Sequence, residues 1–163
     1  MASVEFELRA VYETVDAERK TRGLSWAQVA REVGGVSPAT IRSIGQCAAA
    51  EGDGVLQVLR WLGRSPESFV VGEGSMTANG ADLPPRSVGG TLRFDARAIF
   101  DSLEEQRVER RLTWRQVADE SGVASPAALT RFRTGGRVSF PEIMKVLNWL
   151  GKPAAKFVRV EGR

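Results

Sequence analysis

Apolar positions return at helical spacing in two stretches of this chain, and the same stops and starts punctuate both. In the later stretch Phe94, Ile99 and Leu103 form one apolar stripe, with Glu104, Arg107 and Arg111 outside it, which predicts a first helix over Phe94–Arg110. The earlier stretch predicts the equivalent helix over Phe6–Arg22. A second helix opens on Ser25-x-x-Gln28 and on Thr113-x-x-Gln116, capping boxes in which each side chain satisfies the other residue's orphan amide. Gly34 and Gly122 stop it. Ser37-Pro38 and Ser125-Pro126 then start a third helix, with serine as N-cap and proline at the first helical position. A fourth ends at Gly63 and Gly151; it begins near Ser139 with Pro141 in the later stretch, and at Asp53 as N-cap in the earlier one. Trp61 and Trp149 sit among its leucines and read as core. A short fifth helix is expected to hold Phe69 or Phe157.

These stretches are copies. Shifted by 88 residues, the chain lies on itself without a gap, and 22 of the 65 pairs from position 6 to position 70 are identical. Leu24-Ser25-Trp26-Ala27-Gln28-Val29-Ala30 meets Leu112-Thr113-Trp114-Arg115-Gln116-Val117-Ala118, and Ser37-Pro38-Ala39 meets Ser125-Pro126-Ala127. Between the copies, Gly72 to Arg93 carries five glycines and Pro84-Pro85, too little apolar surface to order itself. The expected organisation is all-α, with a domain at 1–72, a flexible Gly/Pro-rich linker at 73–92 and a second domain at 93–163. Each repeat of about 65 residues is large enough to fold alone.

Composition narrows the chemistry. There is no histidine, and Cys47 is the single cysteine. That removes the commonest general base, the commonest metal ligand and every Ser-His or Cys-His pair, so no enzymatic activity, cofactor or metal is expected. Cys47 reads as a small residue at a helix end. No apolar run of 18 residues exists, so no membrane partner is expected. Met1 to Arg9 lacks a signal peptide's apolar stretch, and a cytoplasmic, nucleoid-associated location is the expectation. Net charge is +3, carried by 19 Arg and 4 Lys against 20 acidic residues. Arginine's planar fork suits phosphates and guanine edges, although a GC-rich genome produces the same bias.

At the centre of each copy, Ala30, Gly34, Ile41 and Ile44, or Ala118, Gly122, Leu129 and Phe132, fall where a helix, a tight turn and a second helix need a small residue, a turn glycine and two inward apolar side chains. With Leu112-Thr113-Trp114-Arg115-Gln116-Val117-Ala118 and the closing Trp149-Leu150-Gly151, this resembles the lambda-repressor-like (Xre-type) helix-turn-helix family over both repeats but not the linker. Two departures stand out. Each copy carries one extra residue between the turn glycine and the third helix. Trp26 and Trp114 stand where many family members have a phosphate-binding glutamine; an indole N–H can still donate one bond to phosphate, or the ring can pack over the helix start.

The resemblance implies two tandem five-helix domains that insert the third helix into the major groove of double-stranded DNA. In the second copy it then assigns Trp114, Arg115, Gln116, Ser125, Ala127, Ala128, Thr130, Arg131, Arg133, Thr134 and Arg137 to DNA. Arg131 is the candidate for a bidentate guanine contact, Ala127 or Ala128 for a thymine methyl, and Arg115 and Arg137 for phosphates. In the first copy it assigns Trp26, Gln28, Ser37, Ala39, Thr40, Arg42, Ser43 and Gln46. That copy looks less suited: Gly45 stands where Arg133 does, and the loop after its third helix, Glu51-Gly52-Asp53-Gly54, is acidic, whereas the loop after the other copy's third helix carries Gly135-Gly136-Arg137. Positions 6–70 hold 8 basic and 8 acidic residues, and positions 94–158 hold 11 and 8. The expected function is sequence-specific transcriptional regulation of bacterial or phage type. The alternative is a protein-interaction module, an antitoxin-like unit or adaptor. A homodimer and an intramolecular pseudo-dimer are both open.

Overall fold

A computed structural model of the chain describes residues 5–46, 50–71, 83–135 and 137–162. The reading of Cys47, and that of residues 72–82 as linker, lie outside them. The first half runs β1 (Glu5–Phe6), α1 (Leu8–Arg22), α2 (Trp26–Val33), α3 (Pro38–Ile44), α4 (Gly52–Leu62) and β2 (Val70–Val71). The second repeats the order as β3 (Thr91–Phe94), α5 (Ala96–Glu109), α6 (Trp114–Ser121), α7 (Pro126–Thr130), α8 (Phe140–Leu150) and β4 (Val158–Glu161). The local signals work as their chemistry requires. Both capping boxes are closed, and Ser37, Ser125 and Ser139 cap their helices through the amide three residues on. Gly34 and Gly122 end α2 and α6 at φ 77° and 85°, a region that glycine enters without a Cβ penalty.

Four expectations are corrected. Phe6 and Phe94 do not open helices; they lie in short strands, β1 pairing antiparallel with β2 and β3 with β4, so each half closes its own ends with a two-stranded ladder. The fifth helix is a single 3-10 turn in each half, Pro66–Phe69 and Ala154–Phe157. The N-cap of α4 is Glu51, whose carboxylate accepts from the Gly54 amide, while Asp53 accepts from the Phe94 amide at 2.8 Å and faces Arg93 at 3.3 Å. Trp149 is half-buried, whereas Trp61 is core as expected. Among the described residues no helix is long and apolar enough to cross a membrane.

The halves are not beads on a string. Glu51 and Ser139, which are equivalent positions in the repeat, face each other in an antiparallel bridge. Around them the Gly52 amide donates to the Val138 carbonyl at 3.0 Å, and the Phe140 amide donates to the Ala50 carbonyl at 2.8 Å. Each bond is the 88-residue image of the other, so a local pseudo-two-fold axis passes through this pair. Helices α4 and α8 pack beside it. The equivalent positions next to the axis differ in size. Phe140 is fully buried, with its ring centroid 4.4 Å from that of Phe6 and 5.8 Å from that of Phe94. At Gly52 the matching space is taken by the second half: a Cβ there would lie 2.6 Å from Ile143 Cδ1 and 3.1 Å from the Phe94 ring. The second half's phenylalanine packs on Phe6 of the first, and the first half's glycine makes room for Ile143 and Phe94 of the second.

The flexible-linker expectation also fails for residues 83–93. Arg86–Val88 form a 3-10 turn that leads into β3. Buried Arg60 of α4 donates to the carbonyls of Pro85, Gly89 and Gly90 at 2.8–2.9 Å; burial first, and then Arg86, pull its guanidinium below the ordinary range. Buried Gln57 brackets Leu92, donating to its carbonyl and accepting from its amide at 3.0 Å. Leu92 is fully buried, so without Gln57 its two backbone groups would each face a desolvation cost of about 1–3 kcal/mol. Composition suggested a coil because glycine and proline bury little by themselves. Here their carbonyls are the acceptors for a neighbouring helix.

Candidate nucleic-acid interface

In the first half, Ile41 and Ile44 of α3 are buried, and Ala39, Thr40, Arg42, Ser43 and Gln46 face solvent. In the second, Leu129 and Phe132 are buried, and Ala127, Arg131, Arg133 and Thr134 face solvent, with Thr130 half-exposed. An inner apolar edge with an outer polar one is what presents a helix to a partner while holding it to a core. Ala128 is the correction: it is 1% exposed and is out of reach of a thymine methyl. Its equivalent, Thr40, is exposed. The helices differ further on as well: α7 gives way after five residues to a 3-10 turn over Arg131–Thr134, whose tighter winding re-aims the side chains from Arg131 onward.

Arg131 is exposed, and its Nη1 lies 3.8 Å from Glu142 Oε2, a long contact that holds the side chain weakly. Arg133 is exposed, and its carbonyl accepts from Arg97 Nη1 at 3.3 Å. The absence of an arginine at Gly45 has a steric cause: a Cβ there would lie 2.8 Å from Tyr12 Cγ. Arg115 is exposed on the first turn of α6. Arg137 is also exposed, but it lines a cleft at the seam between the halves with Glu51, Asp53 and Arg93. The carboxylates that made the first copy's loop look hostile to phosphate are thus engaged within the protein, Glu51 with a helix start and Asp53 with a strand. Ser37 and Ser125 are placed as caps.

Trp26 and Trp114 are half-buried and clamped. Trp26 stacks on Tyr12 at 5.5 Å under the Arg19 guanidinium at 4.6 Å, and Trp114 stacks on Phe100 at 5.3 Å under Arg107 at 4.9 Å. The same arginines donate to the Leu24 and Leu112 carbonyls at 3.0 Å. Gln28 and Gln116 spend their carbonyl oxygens on the capping boxes at 2.7 Å, which leaves each amide NH₂ to donate outward. A second duplicated knot ties the fourth helix to the second: Trp61 Nε1 donates to Glu32 at 3.1 Å under Arg22, and Trp149 Nε1 donates to Glu120 at 3.1 Å under Arg110. Many of the repeat's identities therefore serve these knots rather than the outer face of the third helix. The residues missed in the sequence, Gln57 and Arg60, are places where the copies differ, opposite Lys145 and Asn148. A polar residue on an otherwise apolar helix face was the available signal.

The Glu120 knot predicts a pH response. The Trp149 hydrogen bond, and then Arg110, hold the Glu120 carboxyl below its ordinary value of 4.5. A depressed carboxylate contributes stability that is full above the unfolded value and is lost as pH falls through the folded one. Thermal melts between about pH 5 and pH 3 should show a steeper loss for the parent chain than for Glu120→Gln, which carries no titrating group there. Parallel curves would mean that the knot contributes no proton-linked stability.

Comparison with family models, with curated proteins and with solved structures finds no match for this chain.

Proposed function

We propose that the chain is a sequence-specific double-stranded DNA-binding regulator built from two lambda-repressor-like helix-turn-helix units, each presenting its third helix to the major groove. The observation that carries this reading is the two-sided character of α3 and of α7 with its 3-10 extension. Their apolar edge is anchored, and an outer edge of small, hydroxyl and arginine side chains faces solvent. Such an edge matches the major groove, where arginine reads guanine and small side chains admit close approach. Arg115, on the first turn of α6, has the place of a phosphate contact. A protein-interaction role would be served by an exposed apolar patch. Among the described residues the exposed large hydrophobic is Val108, alone on α5.

The test is selection of bound oligonucleotides from a random pool, followed by titration of the selected duplex at several salt concentrations. An enriched motif is expected, with affinity falling steeply as salt rises. Arg115→Ala should weaken binding to every sequence and flatten the salt slope by roughly one unit. A pool that enriches nothing would transfer the third-helix face to a protein partner.

A further inference from the structure

The pseudo-two-fold seam and the unlike third helices carry the reading one step further, and the step rests on the DNA-binding proposal above. We infer that a single chain occupies a whole bipartite operator. Its two third helices address half-sites one helical turn apart, and the half-sites are unequal in sequence. A two-fold relation in a DNA-binding protein is mirrored by the spacing and direction of its half-sites. Here that relation lies within one polypeptide, through the reciprocal Gly52–Val138 and Phe140–Ala50 bonds.

Size complementarity at the axis opposes the alternative of two chains pairing like with like. Phe140 packs on Phe6, and at its equivalent position Gly52 lets Ile143 and Phe94 of the second half come close. Two second halves face to face would put a phenylalanine where Gly52 stands, into space that Ile143 and Phe94 already fill, and overpacking of this kind destabilises a core. Two first halves would put glycine in place of Phe140 and leave Phe6 without the ring it packs on. The unlike halves of one chain match each other.

Chain length then limits the spacing. Ile44, the last residue of α3, is seven residues from Glu51, and Thr134 is five residues from Ser139. Extended chain covers at most about 3.6 Å per residue, so the two helix ends lie within about 25 Å and about 18 Å of the axial pair. Half-sites in successive grooves on one DNA face, about 34–36 Å apart, are inside that reach, and a two-turn spacing is outside it. The seam is held from a second side, since Gln57 and Arg60 lock the segment that leads into β3. The geometry does not stretch as a free coil would.

The half-sites differ because the readers do. Arg131 is equivalent to Ser43, Arg133 to Gly45, and buried Ala128 to exposed Thr40. The second half reads with two arginines, and the first with Arg42 among hydroxyls.

The experiment uses the full chain. Light scattering should give a monomer alone and one chain per duplex on the selected site, and the selected motif should have two dissimilar parts. Insertion of five base pairs between them turns one half-site to the opposite face, and insertion of ten moves it a full turn away. Each should cut affinity at least 30-fold, to that of the stronger half-site alone. Two chains per duplex, two matching half-sites, or tolerance of the ten-base-pair insertion would overturn the inference while leaving DNA binding intact. Failure to bind any duplex overturns the DNA-binding reading itself, and this inference with it.

Discussion

Arg131→Ala should remove base preference at one position of the operator and cost roughly 1–3 kcal/mol there, the range for a bidentate arginine on guanine. The side chain is placed for this. It opens the 3-10 turn that extends α7, it is exposed, and its nearest carboxylate, Glu142, is 3.8 Å away. Solvent screening makes that contact weak, so little is lost when the guanidinium turns toward a base. Arg42→Ala should cost clearly less. Its equivalent in the second half is Thr130 rather than an arginine, and position 45 cannot take the arginine that the second half has at 133 because Tyr12 fills the space above Gly45. The measurement is a titration of each variant against duplexes that carry every base at each position. A uniform loss across all bases for Arg131→Ala would make it a phosphate contact, and equal losses for the two variants would mean two equivalent readers.

Phe140→Ala should lower the stability of the whole chain by about 3–5 kcal/mol, the usual range for truncating a fully buried phenylalanine. For a chain of this length that corresponds to a fall in melting temperature on the order of 10 °C. The ring is 0% exposed and packs on Phe6 from the other half and on Phe94. Its loss therefore reaches both halves through the seam. Calorimetry of the full chain should show one transition, displaced as a unit. Two resolved transitions, with that of the first half unmoved, would restore the reading of two independent domains. Gly52→Val approaches the same seam from the other side, where the added side chain must displace Ile143 and the Phe94 ring; it should move the same single transition in the same direction.

Helix boundaries were legible because they depend on groups a few residues apart. Ser25 with Gln28, Thr113 with Gln116, and Ser37, Ser125 and Ser139 with the amide three residues on are closed within one turn, so their pattern in the chain is already their geometry. The inner residues of the third helices, Ile41, Ile44, Leu129 and Phe132, follow from periodicity in the same way. The 88-residue duplication was equally plain, and it carries with it the knots that Trp61 and Trp149 make. What escaped the chain's pattern depends on partners far away in sequence. Asp53 reads as a cap until the Phe94 amide is beside it, and Ala128 reads as an outward residue until the folded second half buries it to 1% exposure. Pro85, Gly89 and Gly90 read as coil until Arg60 binds their carbonyls. The packing of Phe140 on Phe6 and the approach of Ile143 to Gly52 are of the same kind: neither residue of either pair carries any local sign of the other. Local capping and periodicity involve groups that the backbone already holds close, so sequence alone determines them. The seam is chosen by shape and by the satisfaction of buried polar groups, which exist only once both halves are folded, and that decision belongs to the tertiary structure.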